Sequence, residues 1–250
     1  MNTSIRSDFH IHTLFSKDAF STIHEMNIAA VRANLEAVAI TDHSHNVISV
    51  NEFEKIDKSY YVGLKKIPSL LHLSEGDLRI FKGIEANIMH TDGTIDVSND
   101  LLKDLNMTIA SMHPVRIHPV DSETSKRTII NTMINNPYVT VIGHPCDQRY
   151  FPDNQFPEEV VEAAVATYKL LELNTSVLIP GSKRNGWELT VQMLRLCKKR
   201  KCCISIGSDA HNYYEIASFD LVKKALEYTA FPDELIINNH FDLLEAYFRL

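Results

Sequence analysis

An α/β fold, with parallel strands and outer helices, is predicted by three features of this 250-residue sequence. Short apolar runs rich in Ile, Val and Leu alternate with amphipathic segments along the chain. The apolar runs lack strict alternation of polar and apolar residues, which is typical of strands buried on both faces. No linker-like Gly/Ser/Pro tract divides the chain and its length suits one large domain, so we expect a single domain over residues 1–250.

Seven strand–helix units can be placed in order, and this favours a closed barrel over an open doubly wound sheet. We predict strands at residues 5–11, 37–40, 79–84, 107–111, 138–142, 169–173 and 202–207. Thr22 and Glu25 form a capping-box pattern at the start of the first helix, and Pro157 suits the first position of a later one. The predicted helices cover residues 22–34, 51–66, 98–105, 122–135, 157–167, 187–200, 215–228 and 240–250.

The composition narrows the class of protein. A net charge of −7 argues against non-specific binding of duplex nucleic acid, so we do not expect nucleic acid as a partner. No apolar run is long enough for a membrane span, and the first residues lack the apolar core of a signal peptide. The four cysteines are not spaced like those of a disulfide scaffold, and they fit a reducing compartment better. We therefore expect a cytoplasmic protein that has no membrane partner.

The most informative motif is Asp8-Phe9-His10-Ile11-His12, at the end of the first predicted strand. Alternate side chains of a strand share a face, so His10 and His12 would point the same way, about 7 Å apart along the strand. Two such imidazoles can reach one metal ion, and Asp8 could orient one of them. A polar strand end would look the same, so this motif alone leaves both interpretations open.

Metal-ligand residue types recur at the ends of the other predicted strands. Each has a simpler explanation: a His-Pro pair can be a turn, Asp209 can cap a helix, and Glu85 can be a surface carboxylate. The ends of parallel strands form one rim of a barrel, however, so these side chains would meet in one place. The candidates are His10, His12, Asp42, His43, Glu85, His113, His144, Asp209 and His211. Their N and O donors suit Zn²⁺, Mn²⁺ or Fe²⁺, and they are too many for one tetrahedral ion, so we expect two or three metals.

The order of these motifs resembles the PHP family, named for its polymerase and histidinol phosphatase members. The run from Gly83 to Ile88, followed by Asp92-Gly93-Thr94-Ile95-Asp96, is similar to the small stand-alone PHP phosphatases. The resemblance implies a distorted (β/α)7 barrel.

Three metal sites are implied by the same resemblance. One would be bound by His10, His12, Glu85 and Asp209; a second would share Glu85 and add His113 and His144; a third would use His43 and His211. Related phosphatases place another His in the loop after the first motif, where this chain has Asp18. A carboxylate can also bind such metals, so the third site could persist with harder character, or be weaker or vacant.

The hypothesis that follows is a multinuclear phosphatase that hydrolyses a small phosphorylated metabolite. A hydroxide bridging two metals would attack phosphorus in line, while Asp8 and Asp42 would orient ligating imidazoles. Arg149 and Arg184 could hold the phosphate, and each could equally be a solvated loop cation, as could Lys183. His45 is close enough to His43 in sequence to protonate a leaving group, but its pattern favours an ordinary exposed loop histidine.

Other functions remain open at this point. A histidinol phosphatase, a PHP-type nuclease acting on nucleotides or nucleic acid, a metal-dependent amidohydrolase and a non-catalytic scaffold share parts of the pattern. The amidohydrolases usually have an eighth strand and a bridging lysine, whereas the third predicted strand here offers Glu85. A homo-oligomer is possible on this evidence.

Overall fold

The structure, a computed structural model, describes residues 4–44, 58–114, 117 and 121–250. Strands and helices alternate through these residues. The strands are β1 (Ser7–Ile11), β2 (Ala37–Ile40), β3 (Leu70–Leu73), β4 (Gly76–Lys82), β5 (Glu85–Asn87), β6 (Ile109–Ser111), β7 (Val141–Ile142), β8 (Leu170–Asn174) and β9 (Ile204–Gly207). The α-helices are α1 (Ile23–Arg32), α2 (Lys58–Leu64), α3 (Asn99–Leu102), α4 (Ser122–Asn135), α5 (Glu158–Thr167), α6 (Trp187–Arg200), α7 (Asp220–Thr229) and α8 (Leu244–Tyr247).

The strands form two sheets with the orders β1-β2-β4-β3 and β5-β6-β7-β8-β9. All neighbouring strands in these orders run parallel except the β3–β4 pair. Single parallel bridges span both gaps between the sheets, from Ile11 to Ala210 and from His43 to Glu85. The predicted α/β fold with parallel strands is confirmed, and β4 followed by β5 occupies the place of the predicted third strand.

The antiparallel hairpin β3–β4 was not predicted. Leu70 to Leu73 alternate between exposed and half-buried positions, so this strand lacks the continuous apolar character of the buried ones. Its turn ends at Gly76, whose φ of 144° is disfavoured for residues with a side chain. Strand β3 extends the outer edge of the first sheet and supplies none of the predicted ligands.

The helices agree with the predictions best where a cap defines them. Thr22 accepts a hydrogen bond from the Glu25 amide and Glu25 accepts one from the Thr22 amide, so the predicted capping box of α1 is present. The predicted helix at 215–228 begins only at Asp220, because Ala217 lies in the left-handed region with φ 58°. Of the helix predicted at 51–66, residues 51–57 lie outside the described part of the chain, and α2 covers Lys58–Leu64. The helices predicted at 98–105 and 240–250 are shorter in the structure, where they correspond to α3 and α8.

A small apolar cluster packs inside the strands, at the end opposite the rim. Phe9, Phe81 and Phe248 form its centre, with ring centroids 5.1–5.7 Å apart in edge-to-face contacts. Phe248 follows α8, so the C-terminal segment covers β1 and β4. No helix in the described part of the chain is long and apolar enough to cross a membrane.

Candidate metal centre

The carboxyl ends of the strands bring the predicted ligands together around one carboxylate, Glu85. The His10 side chain comes from β1, and His12, His43, His113, His144, Asp209 and His211 all lie in the segments that follow strands. Glu85 opens β5 and is almost fully buried. Residues that are far apart in sequence therefore share one site because parallel strands end at the same edge.

Glu85 lies within 4 Å of five imidazoles. Its Oε1 is 3.2 Å from His144 Nε2 and 3.5 Å from both His10 Nε2 and His113 Nε2. Its Oε2 is 2.6 Å from His43 Nδ1 and 3.6 Å from His12 Nε2. A single carboxylate can thus serve as a bridge between neighbouring metal ions.

Three sets of side chains have ligand atoms close enough together to hold a metal ion. Within each set these atoms lie no more than 4.8 Å apart. The sets are His12–His43–His211, His10–His12–Glu85 and His43–Glu85–His113. Asp209 borders the second set, with Oδ1 3.3 Å from His12 Nε2 and 3.6 Å from His10 Nε2. The assignment of these residues to individual ions stays a prediction.

Asp18, the residue that the resemblance to related phosphatases aligns with a ligating His, lies beside the first of these sets. Its Oδ2 is 3.6 Å from His43 Nε2 and 3.7 Å from His211 Nε2. The carboxylate is therefore in reach of an ion held by His43 and His211.

The residues fit metal ions because several buried polar atoms at this centre have no hydrogen-bond partner. They include His10 Nε2, His12 Nε2 and Asp18 Oδ1. Leaving such atoms unpaired costs about 1–3 kcal/mol each, so protein interiors rarely do it without a function. Cations among these imidazoles and carboxylates would satisfy all of them together.

The electrostatics of the centre also favour cations. Burial by itself would raise the pKa of Glu85, but the imidazoles of His10, His43 and His113 outweigh it and hold that pKa well below its usual range. Burial lowers the pKa of His12 well below normal and that of His113 to about 4. Glu85 is therefore charged and these two imidazoles are neutral at pH 7, which is the protonation state that metal ligands require. Burial would lower the pKa of His10 and His43 as well, but the nearby carboxylates outweigh it and raise both, so a bound cation would displace the protons of these two rings.

Two of the predicted ligands occupy strained backbone. His144 has φ 31° and Asp209 has φ 60°, in the left-handed region that residues with a side chain rarely adopt. Such strain persists where surrounding contacts enforce it, and here the Asp209 amide donates to the His10 carbonyl (2.9 Å). Strained backbone at a strand end is typical of a functional site.

Asp8 does not take the place that the sequence predicted for it. Its carboxylate accepts hydrogen bonds from the backbone amides of Ser208 (2.9 Å), Ala217 (3.2 Å) and His10 (3.4 Å), and it contacts no imidazole in the described residues. Burial raises the pKa of Asp8 to about 6. Asp8 thus connects β1 to the loop after β9 rather than orienting a ring.

Asp42 reaches an imidazole through a serine. It accepts hydrogen bonds from Ser16 Oγ (2.7 Å) and from the amide of Thr13 (2.6 Å), and Tyr60 donates to it as well. Ser16 Oγ in turn lies 3.0 Å from His12 Nδ1. Sequence reasoning missed Ser16, because one serine in a loop has no distinguishing pattern.

Two further strand-end residues contact ligand imidazoles directly. Glu172 Oε1 lies 2.6 Å from His10 Nδ1, and Asn87 Oδ1 lies 2.6 Å from His113 Nδ1. Asn87 lies in the run from Gly83 to Ile88 and Glu172 in the strand predicted at 169–173, but nothing in the sequence pairs them with these histidines.

The two arginines lie at one side of the centre. Arg184 donates to Asp209 Oδ2 (3.0 Å) and Ser176 Oγ (2.6 Å), and its Nε is 3.8 Å from Asp147 Oδ2. Arg149 donates through Nε to both oxygens of the buried Asp147 (2.9 and 3.1 Å). Lys183 is exposed, and His45 lies outside the described residues.

A cavity of about 840 Å³ opens beside the arginine side of the centre. Ser176, Arg184, Asp209 and His211 line it toward the ligand cluster, and the apolar Ile179 and Leu221 also contribute to its wall. The arrangement combines a cation-binding centre, a guanidinium and room for a small organic group.

Comparison with known proteins decides the family. The family model for the PHP domain matches residues 8–248. The chain belongs to the PHP family. This PHP chain is 36% identical over 244 residues to a probable phosphatase of Caldanaerobacter subterraneus subsp. tengcongensis, covering 97% of this chain and 90% of the relative. It is 34% identical over 246 residues to a probable phosphatase of Acetivibrio thermocellus, covering 97% and 94%.

Solved structures share the fold of this PHP protein at low sequence identity. The histidinol phosphate phosphatase of Lactococcus lactis, solved with zinc, L-histidinol and phosphate, has a TM-score of 0.62 and 16% identity, covering 91% of this chain and 95% of that one. A chain in an archaeal ribonuclease P complex with mature tRNA has a TM-score of 0.57 and 13% identity, covering 95% and 90%. At such identities the likeness concerns the fold alone.

Proposed function

We propose that this protein is a metal-dependent phosphomonoesterase acting on a small phosphorylated metabolite. The observation that carries the proposal is the set of five imidazoles around Glu85, with unpaired buried donor and acceptor atoms, beside a cavity that Arg184 lines. Family membership supports it, since the relatives above are named probable phosphatases.

Two or three divalent ions (Zn, Mn or Fe) would be held by the predicted ligands. These are His10, His12, Asp18, His43, Glu85, His113, His144, Asp209 and His211. When bound, the ions would supply a water of lowered pKa as nucleophile and positive charge for the phosphoryl oxygens.

The chain's own groups would bind and orient the ester. Arg184 is about a quarter exposed and faces the cavity, so its remaining N–H groups can donate to phosphoryl oxygens. Ser176 lies between Arg184 and Asp209 and holds both in place. Arg149 is more exposed and is kept on this side of the centre by Asp147.

The acidic residues at the centre would repel an anionic substrate unless cations are bound there. Glu85, Asp209 and Asp18 would repel a phosphate dianion, whereas two or three divalent ions would reverse the local sign of the charge. We therefore expect ester hydrolysis to require added metal after the protein is stripped with a chelator.

A panel of substrates and metals tests the proposal. Chelator-treated protein is assayed with Zn²⁺, Mn²⁺ and Mg²⁺ on small phosphomonoesters, including histidinol phosphate and nucleoside monophosphates, and on phosphodiesters and amides. We expect metal-dependent phosphate release from monoesters. A double variant His10→Ala, Asp209→Ala serves as the control, because it removes ligands from the centre. Amide cleavage without phosphate release, or full activity of the double variant, would overturn the proposal.

A further inference from the structure

Glu172 is a buried carboxylate outside the set of predicted ligands, and its contacts converge on two of them. We propose that Glu172 is a positioning residue for the metal centre, which fixes the ring of His10 and the backbone of His144 at once. The proposal rests on the metal centre of the proposed function and goes beyond it by assigning a role to a residue that need not touch metal.

The contacts of Glu172 divide between its two oxygens. Oε1 lies 2.6 Å from His10 Nδ1, while Oε2 accepts hydrogen bonds from the His144 amide (2.6 Å) and from Asn174 Nδ2 (3.1 Å). Glu172 is 1% exposed, so water does not compete for these hydrogen bonds. One side chain on β8 thereby joins the end of β1 to the segment after β7.

The short contact with His10 determines which ring nitrogen is available. In this contact the carboxylate oxygen of Glu172 is the acceptor, so His10 Nδ1 carries the hydrogen. His10 Nε2 is then the nitrogen left to bind a cation, and it is the atom that faces Glu85 and Asp209 and has no hydrogen-bond partner. A second carboxylate that fixes the ring of a ligating histidine is a general feature of metal sites.

The hydrogen bond from the His144 amide to Glu172 stabilises a strained backbone conformation. His144 has φ 31°, and the hydrogen bond from its amide to Glu172 helps to keep the chain in this conformation. The imidazole of His144 reaches Glu85 from this backbone (3.2 Å). Without that hydrogen bond, we expect the His144 ring to leave its position beside Glu85.

Gly207 provides the space for this arrangement. A Cβ at position 207 would lie 2.3 Å from the Cβ of His10 and 2.5 Å from Glu172 Oε1. A side chain at this position of β9 would therefore displace one of the two groups. The absence of a side chain at Gly207 therefore allows Glu172 of β8 and His10 of β1 to contact each other next to β9.

A glutamine at position 172 cannot reproduce both contacts. It has one oxygen and one NH2 group, and the donors at the two sides of Glu172 both require an acceptor. If the amide oxygen accepts from the His144 amide, the NH2 group faces His10 Nδ1. The ring must then carry its hydrogen on Nε2, the atom needed for the metal.

The test measures zinc affinity by competition with a chelator in the full-length protein, with wild type, Glu172→Gln and Asn238→Ala compared. Asn238 is the matched control, since it is fully buried and bonds Ser7 and Ile206 of β1 and β9 without touching a predicted ligand. We expect Glu172→Gln to weaken zinc binding about 10- to 100-fold, the range for such outer contacts, and Asn238→Ala to leave it unchanged. Hydrogen exchange of the His144 amide in Glu172→Gln then shows which contact is lost: exchange is faster if the NH2 group faces this amide and unchanged if the amide oxygen does, and in both cases zinc binding is weaker.

Wild-type affinity in Glu172→Gln would overturn the proposal, as would an equal loss of affinity in Asn238→Ala. If Glu172→Gln fails to fold, Glu172→Asp replaces it: the charge is kept but the reach is shorter, and a weaker zinc site is again required. The measurement needs no substrate. Zinc binding without ester hydrolysis would therefore contradict only the proposed function, whereas wild type that binds none of Zn²⁺, Mn²⁺ and Fe²⁺ would contradict both.

Discussion

Replacement of Glu85 by Gln should change the number of bound metal ions. Glu85 belongs to two of the three sets of side chains that can hold an ion, whereas His211 belongs to one. We therefore expect Glu85→Gln to empty or weaken two sets and His211→Ala to affect one. The substitution is nearly isosteric, so the cluster keeps its shape while the bridging charge is lost.

The size of the effect follows from the charge removed. Two unit charges 4 Å apart in water interact by about 1 kcal/mol, so a carboxylate oxygen about 2 Å from a divalent ion contributes about 4 kcal/mol at least. That energy corresponds to about a thousandfold in affinity for each ion that Glu85 contacts. Burial of Glu85 makes this a lower bound, because water screens the pair less in the interior.

The assay is equilibrium dialysis against zinc followed by elemental analysis, with circular dichroism to verify folding. The expected order of zinc content is wild type, then His211→Ala, then Glu85→Gln. A Glu85→Gln protein that keeps the wild-type zinc content, or loses no more than His211→Ala, would refute the idea that Glu85 bridges the centre.

Three further predictions concern substrate binding and stability. Arg184→Gln should lower kcat/KM for phosphomonoesters about 10- to 100-fold, because a charge-assisted hydrogen bond of about 1.5–3 kcal/mol is lost. Its zinc content should stay above that of Glu85→Gln, as steady-state kinetics with metal analysis would show. An unchanged kcat/KM would exclude a role for Arg184 in binding the ester. Phe248→Ala should lower the free energy of unfolding by about 3–5 kcal/mol in urea titrations, because it empties the buried aromatic cluster, and a loss under 1 kcal/mol would mean that the C-terminal segment is not packed as described. Thr22→Ala should cost about 1 kcal/mol in the same titration by removing the cap of α1, with Thr22→Ser as the conservative control that retains most of it.

The sequence predicts most of the rim because ligand types follow buried strands. The strand from Ala37 to Ile40 coincides with its prediction, and the residues after it, Asp42 and His43, lie at the centre as expected. A continuous apolar run without polar alternation identifies a buried strand in the sequence. Because the buried strands run parallel, their carboxyl ends then lie together at one rim.

The partners of the ligands are not predictable in the same way. His10 and Glu172 are 162 residues apart, and their contact depends on how β1 and β8 meet. Asp8, which is next to the histidines in sequence, was the natural candidate, yet its side chain binds backbone amides. The left-handed Ala217, which delays α7, likewise depends on a hydrogen bond from its amide to Asp8, 209 residues away.

The long-range contacts of β1 also bear on the order of events during synthesis. Ser7 on β1 donates to the carbonyl of Asn238, 231 residues later, and Phe9 packs on Phe248. While the chain is still emerging from the ribosome, β1 therefore lacks the segment that covers its apolar side, although its histidines are already made. We therefore expect β1 to be fixed in place, and the ligand cluster to be completed, only after nearly all of these 250 residues are available.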